Sequence, residues 1–507
     1  MSTAGTQLGL EIEVGGADGG GERGPVYRRI ADGIRRAIES HRLRAGARLP
    51  SIRSLASELA VNRDTVALAY DALVSDGLLE STVGRGTFVR DTEAESGESS
   101  SSSGPVLTDQ VERLLGIEDG RTRFGTTDEA VSMHALIPDP AFYPIDDFRR
   151  AFNRAVASGG AGLFVYGGAQ GYAGLREVLA QRFSAAGIQV RADEIVLCHG
   201  ASQGIALALR LFASKGDAIA VEAPTYHNVL ATLAGLGMRP AVVPMTERGC
   251  DLEALEQALS RPEVKAFYTI PTFHNPMGIS TPLAHRRALL DVARRCGKPI
   301  IEDAFEMDLR VSGRPTPPLA GLDATGLVVH LYSFSKSLFP GLRIGSVTAR
   351  GRTVDGLVAL KQATDLSDSM PLQAGLAEFL DDGAYDRHLG RMRRRLRGRH
   401  RAVAAALEAH MPEGTRFTRP DGGYQIWVEL PFAIDTRNLL ADSVRARVLF
   451  SPGSQFLPDG GPSRCLRLSV AQTSEEEIER GLAVLGELVA AHARPSRDAR
   501  QPASVHL

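Results

Sequence analysis

The stretch Ser333-Phe334-Ser335-Lys336-Ser337-Leu338-Phe339-Pro340-Gly341-Leu342-Arg343-Ile344-Gly345 follows an apolar run, Val328-Val329-His330-Leu331-Tyr332, and sets a single lysine between serines. An arginine stands seven positions beyond that lysine. A lysine at a strand end, flanked by groups that bind phosphate, suits Schiff-base chemistry with an aldehyde cofactor. The run before it is one of a series at 195–198, 218–222, 266–270, 299–302 and 328–332, separated by helical patterns such as 203–212 and 283–296. Such alternation predicts βαβ units and a mostly parallel α/β sheet, whose ligands sit beyond the carboxyl ends of the strands. After about Asp386 an Arg-rich helix leads into a smaller α/β unit with strands at 425–430 and 466–470.

The 507 residues exceed one ordinary core, so two or more domains are expected. The chain is 43% hydrophobic and 23% charged, within the range of soluble globular proteins. With a net charge of −2, affinity for nucleic acid has to come from local basic clustering. Cys198, Cys250, Cys296 and Cys465 are scattered, with no close pair for a metal or for redox chemistry, so no metal site is expected and a reducing compartment is. No signal peptide and no membrane-length apolar run are visible, and a cytoplasmic location follows. Residues 1–24 are Gly-rich and expected to be disordered, and 91–130 form an acidic and Ser-rich linker with a short helix near 109–115. The large body runs from 131 to 495, its large part to about 385 and its small part over 386–495, and 496–507 is a tail.

Residues 25–90 have a different character. Ile30, Ile34 and Ile38 repeat every fourth position, Ser51 can cap a second helix, and Val66, Tyr70 and Leu73 mark the buried face of a third. Two short strands around Gly84-Arg85-Gly86 complete a winged helix-turn-helix, an α+β head. From residue 24 to 90 there are eleven Arg against seven Asp or Glu. The ordered elements Pro50-Ser51-Ile52-Arg53-Ser54-Leu55-Ala56, Asn62-Arg63-Asp64-Thr65-Val66 and Gly84-Arg85-Gly86-Thr87-Phe88-Val89 resemble the GntR-type DNA-binding domain. The resemblance implies that Arg53, Arg63 and Thr65 contact double-stranded DNA and that Gly86 lets the wing backbone approach a phosphate.

The lysine motif has companions in Pro271-Thr272-Phe273-His274-Asn275-Pro276-Met277-Gly278 and Ile301-Glu302-Asp303-Ala304-Phe305. Together they resemble the fold-type I pyridoxal-phosphate enzymes over roughly residues 131–495. That resemblance implies that Lys336 is the catalytic lysine bonding pyridoxal 5'-phosphate, that Asp303 pairs with the pyridine nitrogen, and that Asn275 donates to the phenolic oxygen. Ala201, Ser202 and Gln203 open a helix that can hold the phosphate, with Ser333 and Arg343 completing the cup. Tyr226 matches the ring that stacks on the pyridine, Tyr166 the tyrosine reaching a neighbouring subunit's phosphate, and Arg467 the clamp for an α-carboxylate. Related proteins commonly carry a tyrosine two or three positions after the aspartate, where Phe305 and Glu306 stand here. Without that hydroxyl, cofactor binding is expected to survive and transamination to be slow or lost.

A GntR-type head joined to such a body resembles the MocR-type transcription regulators, as does Ile137-Pro138-Asp139-Pro140-Ala141-Phe142-Tyr143-Pro144. The implied activity is DNA binding gated by an amino compound or by the cofactor itself, in a homodimer with the head of one subunit against the body of the other. The alternatives are a working aminotransferase with an accessory DNA-binding domain, and a DNA-binding protein whose body holds no cofactor. The run 391–401, dense in arginine, reads as the solvated face of the long helix in preference to a second DNA-binding surface.

Overall fold

The computed structural model describes residues 3–5, 11–13, 26–39, 43, 46–59, 61–82, 86–90, 107–119 and 130–493. They divide into two compact units, Met1–Val106 and Leu107–Leu507. Within the segment 1–24, Thr3–Gly5 and Glu11–Glu13 pair antiparallel; its other residues, the acidic and serine runs of 91–106, and the tail 496–507 lie outside the described residues.

In the first unit, the helices Val26–Glu39, Ile52–Glu58 and Arg63–Ser75 pack around Ile30, Ile34, Leu55, Val66, Tyr70 and Leu73, all buried. Caps set where the last two begin, since each first turn leaves backbone N–H groups without a helical partner. Ser51 Oγ accepts the backbone N–H of Ser54 at 3.2 Å, and Asn62 Oδ1 that of Asp64 at 3.2 Å. The strands Leu79–Thr82 and Gly86–Val89 pair antiparallel as the wing, its tip at 83–85 lying outside the described residues.

The second unit holds an eight-stranded sheet. Its spatial order is Ile195–Cys198, Gly345–Thr348, Val328–Ser333, Ile300–Asp303, Val264–Thr269, Ala218–Ala223, Arg239–Thr246 and Gly249–Cys250. The five strands from Val328–Ser333 to Arg239–Thr246 are parallel, and Gly345–Thr348 is antiparallel to both its neighbours. A four-stranded antiparallel sheet carries Gln425–Glu429 and Cys465–Ser469 in the C-terminal part. Val131–Ser132 pairs with Val448–Leu449, so the start of the body joins its C-terminal part instead of the large sheet. A two-residue strand has no periodicity to announce it.

The helix Ala384–His410 links the two parts. Its arginines are mostly committed to the body: Arg393 Nε donates to Asp308 O at 2.7 Å, Arg397 Nη2 to Val311 O at 2.7 Å, Arg399 pairs with Asp139 at 2.8 Å, and Arg395 lies 3.6 Å over the Phe142 ring. The helix Asp109–Asp119 is held lightly against His227–Gly235. Gln110 and Leu114 are its half-buried residues, and a Cβ on Gly235 would stand 3.0 Å from Leu114 Cδ1. No helix among the described residues is long and apolar enough to cross a membrane.

Candidate active site and DNA-binding surface

Parallel strands of the large sheet end around one buried polar cluster. Ile300–Asp303 delivers Asp303, 1% exposed, whose Oδ2 accepts the Tyr268 hydroxyl at 2.7 Å while Oδ1 has no partner among the described residues. Burial pushes this carboxyl up to about 6, against the hydrogen bond from Tyr268. Tyr268 sits on the adjacent strand, brought level by the pairing of Tyr268 with Ile301.

The strand Val328–Ser333 leads to Lys336, whose Nζ donates to Leu136 O at 2.6 Å. Burial lowers this amine's pKa; Glu306 and Asp303 oppose the shift, and Arg467 and Arg343 add to it. A neutral amine is the nucleophilic form, so burial among cations suits the lysine for bonding an aldehyde.

Asn275 and Arg467 are both buried and meet at 3.2 Å, Nη1 to Oδ1. Arg467 Nη2 donates to His134 O at 2.5 Å and Ser451 Oγ at 2.9 Å, and the guanidinium carbon lies 5.0 Å from the Phe456 ring centre. Burial pushes Arg467 down to about 10, which leaves it a cation at neutral pH. This fork is fixed before any carboxylate arrives.

The helix Gly200–Phe212 begins beside Arg343. Gly200 has φ +76°, a backbone that favours glycine, and a Cβ there would stand 2.9 Å from Arg343 Nη2. Arg343 itself has φ +51°, a left-handed backbone that residues other than glycine rarely adopt, and donates to His199 O at 2.9 Å. Ala201 and the exposed Ser202 lie in the first turn; Gln203 turns away, accepting from His199 N at 2.8 Å and donating to Asp365 at 2.7 Å. Ser333 is buried, and its Oγ accepts the backbone N–H of Ser335 at 3.2 Å. The first turn of this helix and the Arg343 guanidinium thus lie side by side, a setting that favours an anion. Tyr226 precedes the helix His227–Gly235 and packs against the core containing Phe305.

Tyr166 stands apart at 85% exposure, with Phe164 and Val165 beside it. In the first unit, Arg63 is exposed and Thr65 half-buried in the first turn of Arg63–Ser75; Gly86 opens its wing strand; Arg53 lies in Ile52–Glu58, its side chain outside the described residues. His199, Asp365 and Asp368 gather closely enough for a cation, but Lys361 Nζ occupies that role, 2.8 Å from Asp368 and 3.2 Å from Asp365.

The residues fit pyridoxal phosphate. Besides Asp303 Oδ1, the buried Arg467 Nε has no hydrogen-bond partner among the described residues. Unpaired buried polar atoms are costly; the ring nitrogen of the cofactor would relieve Asp303 Oδ1, and the carboxylate of an amine bound to it would relieve Arg467. A cavity of about 820 Å³ opens beside Arg467 and His134, walled by Leu230, Ala234, Met238 and, from the helix Asp109–Asp119, Ile117.

Such a body defines a fold-type I aminotransferase-like protein, and comparison agrees. The Aminotransferase class I and II family matches residues 138–485, and the family of bacterial regulatory proteins, gntR family, matches residues 26–89. The "Aromatic-amino-acid aminotransferase 1" of Thermococcus litoralis is 31% identical, over 75% of this chain and 93% of its own. The "Probable rhizopine catabolism regulatory protein MocR" of Rhizobium meliloti is 27% identical, over 90% of this chain and 92% of its own. The crystal structure of LysN, the α-aminoadipate aminotransferase of Thermus thermophilus, complexed with N-(5'-phosphopyridoxyl)-L-leucine, superposes with a TM-score of 0.67 at 31% identity, covering 76% of this chain and 95% of that one. The chain belongs to the aminotransferase class I and II family and, through its gntR-family head, to the MocR-type transcription regulators. Its cofactor is pyridoxal 5'-phosphate.

Proposed function

We propose that the protein is a transcription regulator whose DNA affinity responds to an amino compound bound in the body. The observation that carries this is one chain holding both an exposed Arg63 on a helix-turn-helix and, in the body, a buried Asp303 at a strand end, Lys336 just past the end of the neighbouring strand, and a buried Arg467 beside a cavity. The cofactor supplies an aldehyde to which amines bond and a ring that withdraws electrons. Lys336 is the amine that holds it, Asp303 Oδ1 the acceptor for the ring nitrogen, and Asn275 the donor to its phenolic oxygen. Tyr226 would flank the ring. Ala201, Ser202 and Gln203 (the last through its backbone), Ser333 and Arg343 hold the phosphate. Arg467 takes the carboxylate of the effector. Phe305, buried among apolar side chains, offers no hydroxyl, which favours sensing over turnover. A switch requires the effector to bind two conformations unequally.

Tyr166, with Phe164 and Val165, belongs to the contact between two copies in a homodimer, where its hydroxyl reaches the partner's phosphate cup. The protein acts in the cytoplasm, where its DNA target lies.

The test is DNA binding at fixed salt with the purified, cofactor-loaded protein, with and without carboxylate-bearing amines. An amine that alters both visible absorption and DNA affinity supports the proposal. Sustained conversion of amino acid and keto acid, with DNA affinity indifferent to either, would favour an aminotransferase. For the head, Arg63→Ala is expected to flatten the dependence of log affinity on log salt by about 1, the loss of one phosphate contact. An unchanged slope in anisotropy titrations would remove Arg63 from the interface.

A further inference from the structure

Tyr424 is 2% exposed, and its hydroxyl donates to Lys336 O at 2.7 Å. Its backbone N–H donates at 3.2 Å to Oε2 of Glu306, three residues beyond Asp303. Its carbonyl accepts at 3.0 Å from the N–H of Val470, three residues beyond Arg467. One residue thus bonds to the segments that carry Asp303, Lys336 and Arg467. Gly423 allows the close approach: its φ is +72°, and a Cβ there would stand 2.7 Å from Glu306 Oε2. The residue after the lysine is held in the same manner. The Tyr385 hydroxyl meets Ser337 Oγ at 2.7 Å, and His388 Nε2 donates to Ser337 O at 3.1 Å. Tyr385 and His388 belong to the helix Ala384–His410, and Tyr424 immediately precedes the strand Gln425–Glu429. The large sheet delivers the lysine, and side chains from the C-terminal part of the chain pin the turn on which it stands.

We propose that Tyr424 is a positioning residue for Lys336, its hydroxyl fixing the lysine's backbone so that Nζ holds the cofactor in preference to a competing amine. The inference rests on Lys336 being the cofactor-bonding lysine. In that competition the C=N bond to Nζ breaks as one to the incoming nitrogen forms, and the two hydrogens that leave the amine end on Nζ. A pinned backbone favours the lysine's side of the exchange, because an ordered Nζ gives up less freedom on bonding than a wandering one. Tyr424 therefore sets how readily an amine takes the lysine's place.

The experiment uses the full-length, cofactor-loaded protein, with methylamine as the competitor at fixed pH. Borohydride reduction followed by intact mass measurement counts the cofactor left covalently on the protein as methylamine is raised. Tyr424→Phe keeps the ring in the core and removes only the hydroxyl. In it, the methylamine concentration that displaces half of the cofactor is expected to fall by about 3- to 10-fold, the equivalent of one hydrogen bond. Affinity for pyridoxal phosphate should fall by a similar factor. A displacement midpoint unchanged or raised overturns the inference, since a merely structural role lowers thermal stability and cofactor affinity without moving the competition. If that variant does not fold, Ser337→Ala, which removes the contact with Tyr385 on the same turn, decides by the same criterion. A wild type in which reduction traps no cofactor overturns the Lys336 assignment and this inference together. Normal trapping in the wild type with an unmoved midpoint in the variant overturns this inference alone.

Discussion

Lys336→Ala is expected to abolish the visible absorption of the purified protein completely and to leave no cofactor covalently trapped after borohydride reduction. The amine of Lys336 lies just past the end of a fully buried strand, among Glu306, Asp303, Arg467 and Arg343, and its ammonium form is disfavoured by burial. No other lysine among the described residues shares that setting: Lys361, fully buried, is committed to Asp365 and Asp368. Free pyridoxal phosphate can still occupy the phosphate cup of the variant, but dialysis should remove it. The response of DNA binding to amines should disappear with the bond. Absorption that survives dialysis in Lys336→Ala would show that another amine holds the cofactor.

Arg467→Ala is expected to weaken carboxylate-bearing amines by about 30-fold or more, since losing one partner of a buried, hydrogen-bonded charge pair costs roughly 2–5 kcal/mol. The guanidinium is 4% exposed and held by Asn275, His134 and Ser451, so its orientation is set in advance. Amines without a carboxylate provide the control, because they make no use of the fork and should lose little. Arg467→Lys, which keeps a cation but not the planar pair of donors, should fall between. Equal losses for both kinds of amine in spectral titrations would mean that Arg467 supports the fold and does not read the ligand.

Much of the site was legible because its chemistry sits in short local motifs at strand ends. Lys336, Asp303, Asn275 and Arg343 each fall within a few residues of an apolar run, and the α/β alternation alone sends such positions to one edge of a sheet. Tyr268 was invisible, because only the register between two strands brings it to Asp303. Glu306 drew notice solely as a departure from a common tyrosine; its burial and its relation to Tyr424 depend on a chain segment more than a hundred residues away. The strand Arg239–Thr246 carries prolines at 240 and 244, which argue against a strand, yet it lies near the sheet's edge where lost donors are tolerated. In the head, helix periodicity carried the fold, since Ile30, Ile34, Val66, Tyr70 and Leu73 all face one small core.

The helix Asp109–Asp119 rests on the body through Gln110 and Leu114, and its Ile117 forms part of the wall of the cavity beside Arg467. A ligand that fills this cavity therefore covers apolar surface on the helix as well as on Leu230, Ala234 and Met238, and the helix gains from occupancy a hold that its own two half-buried residues do not supply.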